Sequence, residues 1–230
     1  LDIRHPRTIA AVLVLLAATL LAPASAVAAH LRVEGPRRTI FQGRAKPIIG
    51  TLRGHTTNEA TALGALLRAS RRTPFELGLE WFDGIGPGWA GFFVNSIAGK
   101  AGSATGFWNF KMGQVSSSTG LGNTVVRGGS HILIYWTSFD PDTGATQPTL
   151  GLSASDRTPA PNSSVTFTVR QYDDAGTPTT AANAWVWVNG AATHVDASGT
   201  VTVRFSRGDY RVRATEPGAI RSQSLWVHAS

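Results

Sequence analysis

Six histidines are the first residues to test for chemistry, and their spacing argues against a shared metal ion. They stand at His5, His30, His55, His131, His194 and His228. None pairs with a second histidine one helical turn away, and no His-Glu-x-x-His run occurs, so each reads as a strand or loop histidine. The serines lie in no Gly-x-Ser-x-Gly elbow. Gly84-Ile85-Gly86-Pro87-Gly88 has the glycine density of a phosphate loop. It lacks the following Lys-Ser/Thr and holds a proline, which makes it a turn. Glu80 and Asp83 could be posed as an acid/base pair, yet neighbours in a strand and turn default to surface charges. The expectation is a non-enzyme with no catalytic residue, no metal and no cofactor.

The aromatic residues offer better candidates. Trp81, Trp89, Trp108 and Trp136 precede Asp140, and Trp185, Trp187 and Trp226 follow it. Side chains alternate along a strand, so Trp108 and Phe110 share one face, with Phe107 and Asn109 on the other. That leaves Trp108 open to two readings, a core residue or part of a flat-ligand platform with Phe107. Phe107, Trp108, Trp89 and Lys100 are the candidate ligand-binding residues. Trp185 and Trp187 also share a face and are expected in a core.

The elements that must hold these residues can be read from periodicity. Leu31-Arg32-Val33 alternates as a strand does, with Thr39-Ile40-Phe41 as a partner. Thr56 and Glu59 have capping-box spacing ahead of a helix whose narrow stripe is Ala62, Leu63, Leu66 and Leu67. Arg68, Arg71 and Arg72 suit its C-terminal dipole, and Pro74 stops it. Strands are expected over 75–82, 91–97, 107–112 and 131–139. Asp140 to Pro148 clusters Asp, Pro and Gly and reads as a linker. Beyond it, short alternating runs separated by turns such as Asn189-Gly190 and Asp196-Ala197-Ser198-Gly199 suggest a β-sandwich of about seven strands. The fold class expected is therefore an α+β N-terminal domain, one helix on a small sheet, plus an all-β sandwich C-terminal domain. The boundaries are 1–28 signal peptide, 29–139 first domain, 140–149 linker and 150–230 sandwich.

Composition bounds the location and partners. The 230 residues carry a formal net charge of +7 and no cysteine. No disulfide framework is available, so stability must come from core size. Nine Lys or Arg oppose Glu34 and Glu59 between 29 and 73, which concentrates the basicity in one region. Nucleic acid is not expected, because no recognisable fold or interleaved aromatics accompany that region; a solvated face or an anionic surface polymer suits it better. Arg4 and Arg7 precede an apolar run from Thr8 to Leu21, and Pro23-Ala24-Ser25-Ala26 closes it with a small-x-small pattern. That is the form of a cleaved secretory signal, so membrane contact is expected only during export. Arginine outnumbers lysine, which suggests a GC-rich bacterial genome.

Three segments carry a family resemblance. Phe92-Phe93-Val94-Asn95-Ser96-Ile97-Ala98-Gly99-Lys100-Ala101, then Phe107-Trp108-Asn109-Phe110, then Val126-Arg127-Gly128-Gly129-Ser130-His131-Ile132 resemble the C-terminal domain of transcobalamin and related small bacterial domains. The likeness extends over about 29–139, with Gly129-Ser130 and Met112-Gly113 departing from the pattern. It implies a helix-plus-sheet module and places Phe107 and Trp108 toward the side where cobalamin lies in transcobalamin. No counterpart of the helical domain that completes that site is expected among these residues, and half a site holds a ligand weakly. Ala184-Trp185-Val186-Trp187-Val188-Asn189-Gly190 and Gly208-Asp209-Tyr210-Arg211-Val212 resemble bacterial immunoglobulin-like or carboxypeptidase-regulatory-like sandwiches, which implies architecture and a surface location. Together these readings give a secreted or cell-surface, non-enzymatic binding or adhesion protein with an extracellular ligand or surface polymer as partner. The alternative is a carbohydrate- or cell-wall-binding module using exposed tryptophans and the basic region. Mass spectrometry of protein recovered from the medium should show a mature start at Val27 or Ala29, and an intact Leu1–Ala28 segment would refute cleavage.

Overall fold

The computed structural model describes residues 28–57, 59–84 and 90–230. The expected signal segment up to Val27 and the candidate Trp89 lie outside the described residues. The chain is predominantly β, with several sheets and one helix among the described residues.

Strand β1 (Ala29–Glu34) turns Leu31 and Val33 into a core, and β2 (Thr39–Ala45) returns antiparallel beside it. The short strands β3 (Gly50–Leu52) and β4 (His55–Thr57) make a separate hairpin, followed by α1 (Ala62–Arg72). Strands β5 (Leu77–Phe82), β6 (Gly91–Ile97) and β7 (Lys100–Ala101) form a three-stranded sheet. The remaining strands β8 (Phe107–Met112), β9 (Val115–Ser116) and β10 (His131–Thr137) join the first sheet, whose order is β2-β1-β10-β8-β9. At its centre β10 runs parallel to β1. Ile132 and Ile134 join the helix-side core, while Leu133 and Tyr135 are buried on the opposite face. Burial on both faces is why β10 reads as an unbroken apolar run.

The helix begins later than its expected capping box. Thr56 belongs to β4, and the N-cap is Thr61, whose hydroxyl accepts from the Gly64 amide at 3.2 Å. The amides of Ala62 and Leu63 donate to the carbonyls of Thr124 and Leu121. The free first-turn donors are thus met by a loop some sixty residues away rather than by Glu59. A Cβ at Gly64 would stand 2.4 Å from the Ile48 carbonyl oxygen, so glycine is what lets the preceding chain lie against the helix. Several of the clustered cations are tied down locally: Arg68 and Arg72 donate to the carbonyls of Lys46 and Arg44.

Past Pro148 the strands are β11 (Thr149–Ala154), β12 (Ser163–Tyr172), β13 (Pro178–Thr180), β14 (Trp185–Val188), β15 (Ala191–His194), β16 (Thr200–Phe205), β17 (Gly208–Thr215) and β18 (Leu225–Ala229). They form two four-stranded sheets. In one, β12 pairs with β11 along one edge and with β13 and β16 along the other. The second has the order β15-β14-β17-β18. Val165, Phe167 and Val169 of the first share a core with Val186, Val212, Ala214 and Val227 of the second. The strand absent from the sequence reading, β13, is wholly exposed and so carries no apolar alternation to detect.

The two cores meet across a polar seam. Arg32, Glu34, Gln42, Asn109, Lys111 and Tyr135 lie on the face of the first sheet away from α1, as their cross-strand pairing requires. The Lys111 side chain has no exposed surface, and its Nζ donates to the carbonyls of Asp173 (2.6 Å) and Tyr172 (3.2 Å) and to Thr149 Oγ1 (3.3 Å). Asp174 lies 3.9 Å from Nζ. It accepts from the Thr146 hydroxyl and amide and from the Ser116 hydroxyl. At the other end Arg221 stands 3.2 Å from buried Glu34 and donates to the Gly35 carbonyl, while Gln42 exchanges two hydrogen bonds with Ser224. Within the expected linker, 140–149, the stretch from Asp140 to Ala145 is a closed turn in which Asp140 accepts from the amides of Asp142 and Thr143. Replacing Lys111 with alanine should cost on the order of 3 kcal/mol, because several buried acceptors lose their donor. Lys111→Met, which fills the space but supplies no donor, should cost nearly as much; a Met variant as stable as the parent in chemical denaturation would refute a dominant role for the ammonium.

Candidate functional site

The structure resolves the alternatives at Trp108. Its side chain is 8% exposed and belongs to the first core, edge-on to Trp136 with ring centroids 5.7 Å apart. The indole N–H donates to the Lys100 carbonyl at 2.8 Å, and the Lys100 ammonium sits 4.2 Å above the Trp136 ring. Lys100 and Trp108 are therefore brought together, but as a clasp between β7 and β8. Phe107 lies on the other face, half-buried and tilted against exposed Phe139 at 4.3 Å. The face of Trp108 offers no platform to a ligand.

A cavity of about 340 Å³ opens elsewhere, between the β3–β4 hairpin, the β5–β6 strands and the loop after β9. Its construction starts at Arg53-Gly54. Both residues have positive φ (47° and 84°), which gives a tight two-residue hairpin turn. Arg53 donates to the Leu79 carbonyl, which pins the hairpin onto β5. His55, the next residue, then stacks on Trp81 at 3.4 Å between centroids and 12° between planes. Trp81 is oriented by its own N–H donating to Asp83 at 2.7 Å. Phe92 meets both rings edge-on, at 5.6 Å from His55 and 5.1 Å from Trp81. Thr56, Glu59, Thr61 and Asn123 add polar groups to the lining, and Asn123 donates to the Ala90 carbonyl at 2.9 Å. The loop that supplies Gly122 and Asn123 is the one that caps α1. An aromatic floor with a few polar groups around it suits a flat or ring-bearing ligand.

The sequence reading missed this site. The usable signal was Thr51-Leu52-Arg53-Gly54-His55-Thr56, two short alternating triplets around a turn former. Trp185 and Trp187, expected in a core, face outward. Val186 takes the core side of β14, while Trp185 is 41% exposed and Trp187 half-exposed on the opposite face; Trp226 on β18 is 62% exposed.

Among the described residues no group of three or more His, Cys, Asp or Glu side chains converges on one point. His30 and His131 stack across β1 and β10 at 4.7 Å, and burial together with His131 and Arg44 lowers the His30 pKa. His228 pairs with Asp209, and Asp83 is engaged by Trp81. No protein-family model matches the chain, and no curated protein sequence matches it. Trp108→Ala should cost about 3–5 kcal/mol of stability, as large aromatic truncations in a core do. A well-folded Trp108→Ala protein with an unchanged denaturation midpoint would refute the core assignment.

Proposed function

We propose that the protein is an exported, non-catalytic binding or adhesion protein. It presents a ligand pocket from an N-terminal helix-plus-sheet module, followed by a C-terminal β-sandwich. The observation that carries this reading is the His55–Trp81 stack closed edge-on by Phe92, which floors an open-sided cavity. The ligand it favours is small, with a planar or ring-shaped apolar part that rests on the aromatic rings. Hydroxyl, carboxylate and amide groups at Thr56, Glu59 and Asn123 would set its orientation. The transcobalamin-like resemblance supports a binding role for this module but puts the contact at Phe107–Trp108, whereas the pocket uses His55, Trp81 and Phe92. Corrinoids therefore rank as one ring-bearing class among several.

The test is a binding screen of the purified mature chain against corrinoids, oligosaccharides and cell-wall preparations, followed by Trp81→Ala on any ligand found. Loss of one stacking partner worth about 1 kcal/mol lowers affinity roughly fivefold. The Asp83→Asn variant should weaken binding less, since Asp83 only orients the indole. Unchanged affinity in a folded Trp81→Ala protein would remove the pocket from the proposal.

A further inference from the structure

The exposed face of the β15-β14-β17-β18 sheet carries large aromatic and basic side chains. Trp185 and Trp226 leave 41% and 62% of their surface in solvent, although each could contribute more to stability if buried. Cross-strand pairing sets Trp187 beside Arg213 and Arg211 beside Trp226, so indoles and guanidinium groups alternate over the face. Between them lies a second cavity of about 300 Å³, lined by Trp187, Arg211, Arg213 and the Asn189-Gly190 turn. The Trp187 N–H donates to Thr215 at 2.8 Å, which holds its ring along the sheet. Arg211 is steadied by a 3.0 Å bond from its Nε to Ser224 Oγ, and the charge of Arg213 reaches Glu34 and helps hold that carboxyl's pKa down against burial.

We propose that this face binds an anionic polysaccharide, with sugar rings resting on Trp185, Trp187 and Trp226 and carboxylate groups meeting Arg211 and Arg213. Neighbouring strands lie about 4.8 Å apart, so β14 and β18 set aromatic supports roughly 10 Å apart, enough for more than one ring. Guanidinium groups match carboxylates through paired N–H donors. The charge is sparse: two arginines, with Asp209 close by on the same strand and paired to His228. A single-stranded nucleic acid brings one phosphate per nucleotide and calls for a continuous cationic groove, whereas sparse cations between aromatic rests suit a polymer with fewer charges per ring. This site is independent of the His55–Trp81 pocket.

The experiment measures binding of the full mature chain to a uronate oligosaccharide, a neutral gluco-oligosaccharide and oligo-deoxythymidine, at low and moderate salt. The uronate should bind most tightly and weaken as salt rises. Trp185→Ala with Trp226→Ala should lower its affinity at least tenfold while the denaturation midpoint stays near that of the parent, since neither ring belongs to the core beneath the sheet. Arg211→Gln should weaken the uronate complex and flatten its salt dependence. Trp81→Ala should leave uronate affinity unchanged, which separates this site from the pocket. Equal affinity for the neutral sugar, tighter binding of the oligonucleotide, an undiminished complex in the double tryptophan variant, or no binding of any probe would each overturn the proposal.

Discussion

Burial of the Lys111 ammonium is the constraint on which the arrangement of the two cores depends. Removing a primary ammonium from water costs several kcal/mol unless fixed acceptors replace its hydration. Here the acceptors are the carbonyls of Tyr172 and Asp173 and the Thr149 hydroxyl, all contributed by the chain beyond the closed turn at Asp140. Burial pulls the Lys111 pKa down, while Asp174 and Asp173 raise it. The ammonium therefore holds β8 against the end of β12 only when that end is already folded. A hydrophobic side chain would pack there without specifying a position; a cation needing three acceptors specifies one.

The far end of the seam repeats the logic with the signs exchanged. Glu34 is nearly inaccessible and is met by Arg221, Arg32 and the Thr39 hydroxyl. Arg32 donates in turn to the Arg221 carbonyl, so the pair is cross-braced between side chain and backbone. With a buried cation at one end and a buried anion at the other, sliding or rotation of the second set of sheets would strand both charges. Among the described residues no buried side-chain nitrogen or oxygen lacks a partner, as such a seam requires.

Local chemistry was legible in the sequence, and long-range partnership was not. The bounds of β6, β8 and β16 follow from alternation between turn formers, and the apolar stripe of α1 was visible at Ala62, Leu63 and Leu66. The start of α1 was not, because the carbonyls that satisfy Ala62 and Leu63 come from the loop around Leu121 to Thr124. The turn at Asp140 has the composition of a linker, but its tail is fixed by Asp174 and Tyr135, which composition cannot reveal. The aromatic floor was hidden for the same reason. His55, Trp81 and Phe92 are far apart in sequence and meet only because Arg53 pins a hairpin onto β5.

The tryptophans of the second half show why parity along a strand is weaker evidence than it looks. Alternation states that Trp185 and Trp187 share a face but leaves open which face is inside, since Val186 and Val188 are equally apolar. The opposing sheet decides. Phe167 and Phe205 already occupy the core edge-on at 6.0 Å, and packed sheets leave a layer only about 10 Å thick. Compact Val186, Val212 and Ala214 fill the remainder, whereas two indoles would overpack it. The larger rings are thus displaced outward by the volume of the phenylalanines, and a sheet face that acquires indoles in this way is held rigid from beneath. Rigid aromatic surface at low ordering cost is what a binding face requires, so the packing of the core and the character of the exposed face follow from one constraint.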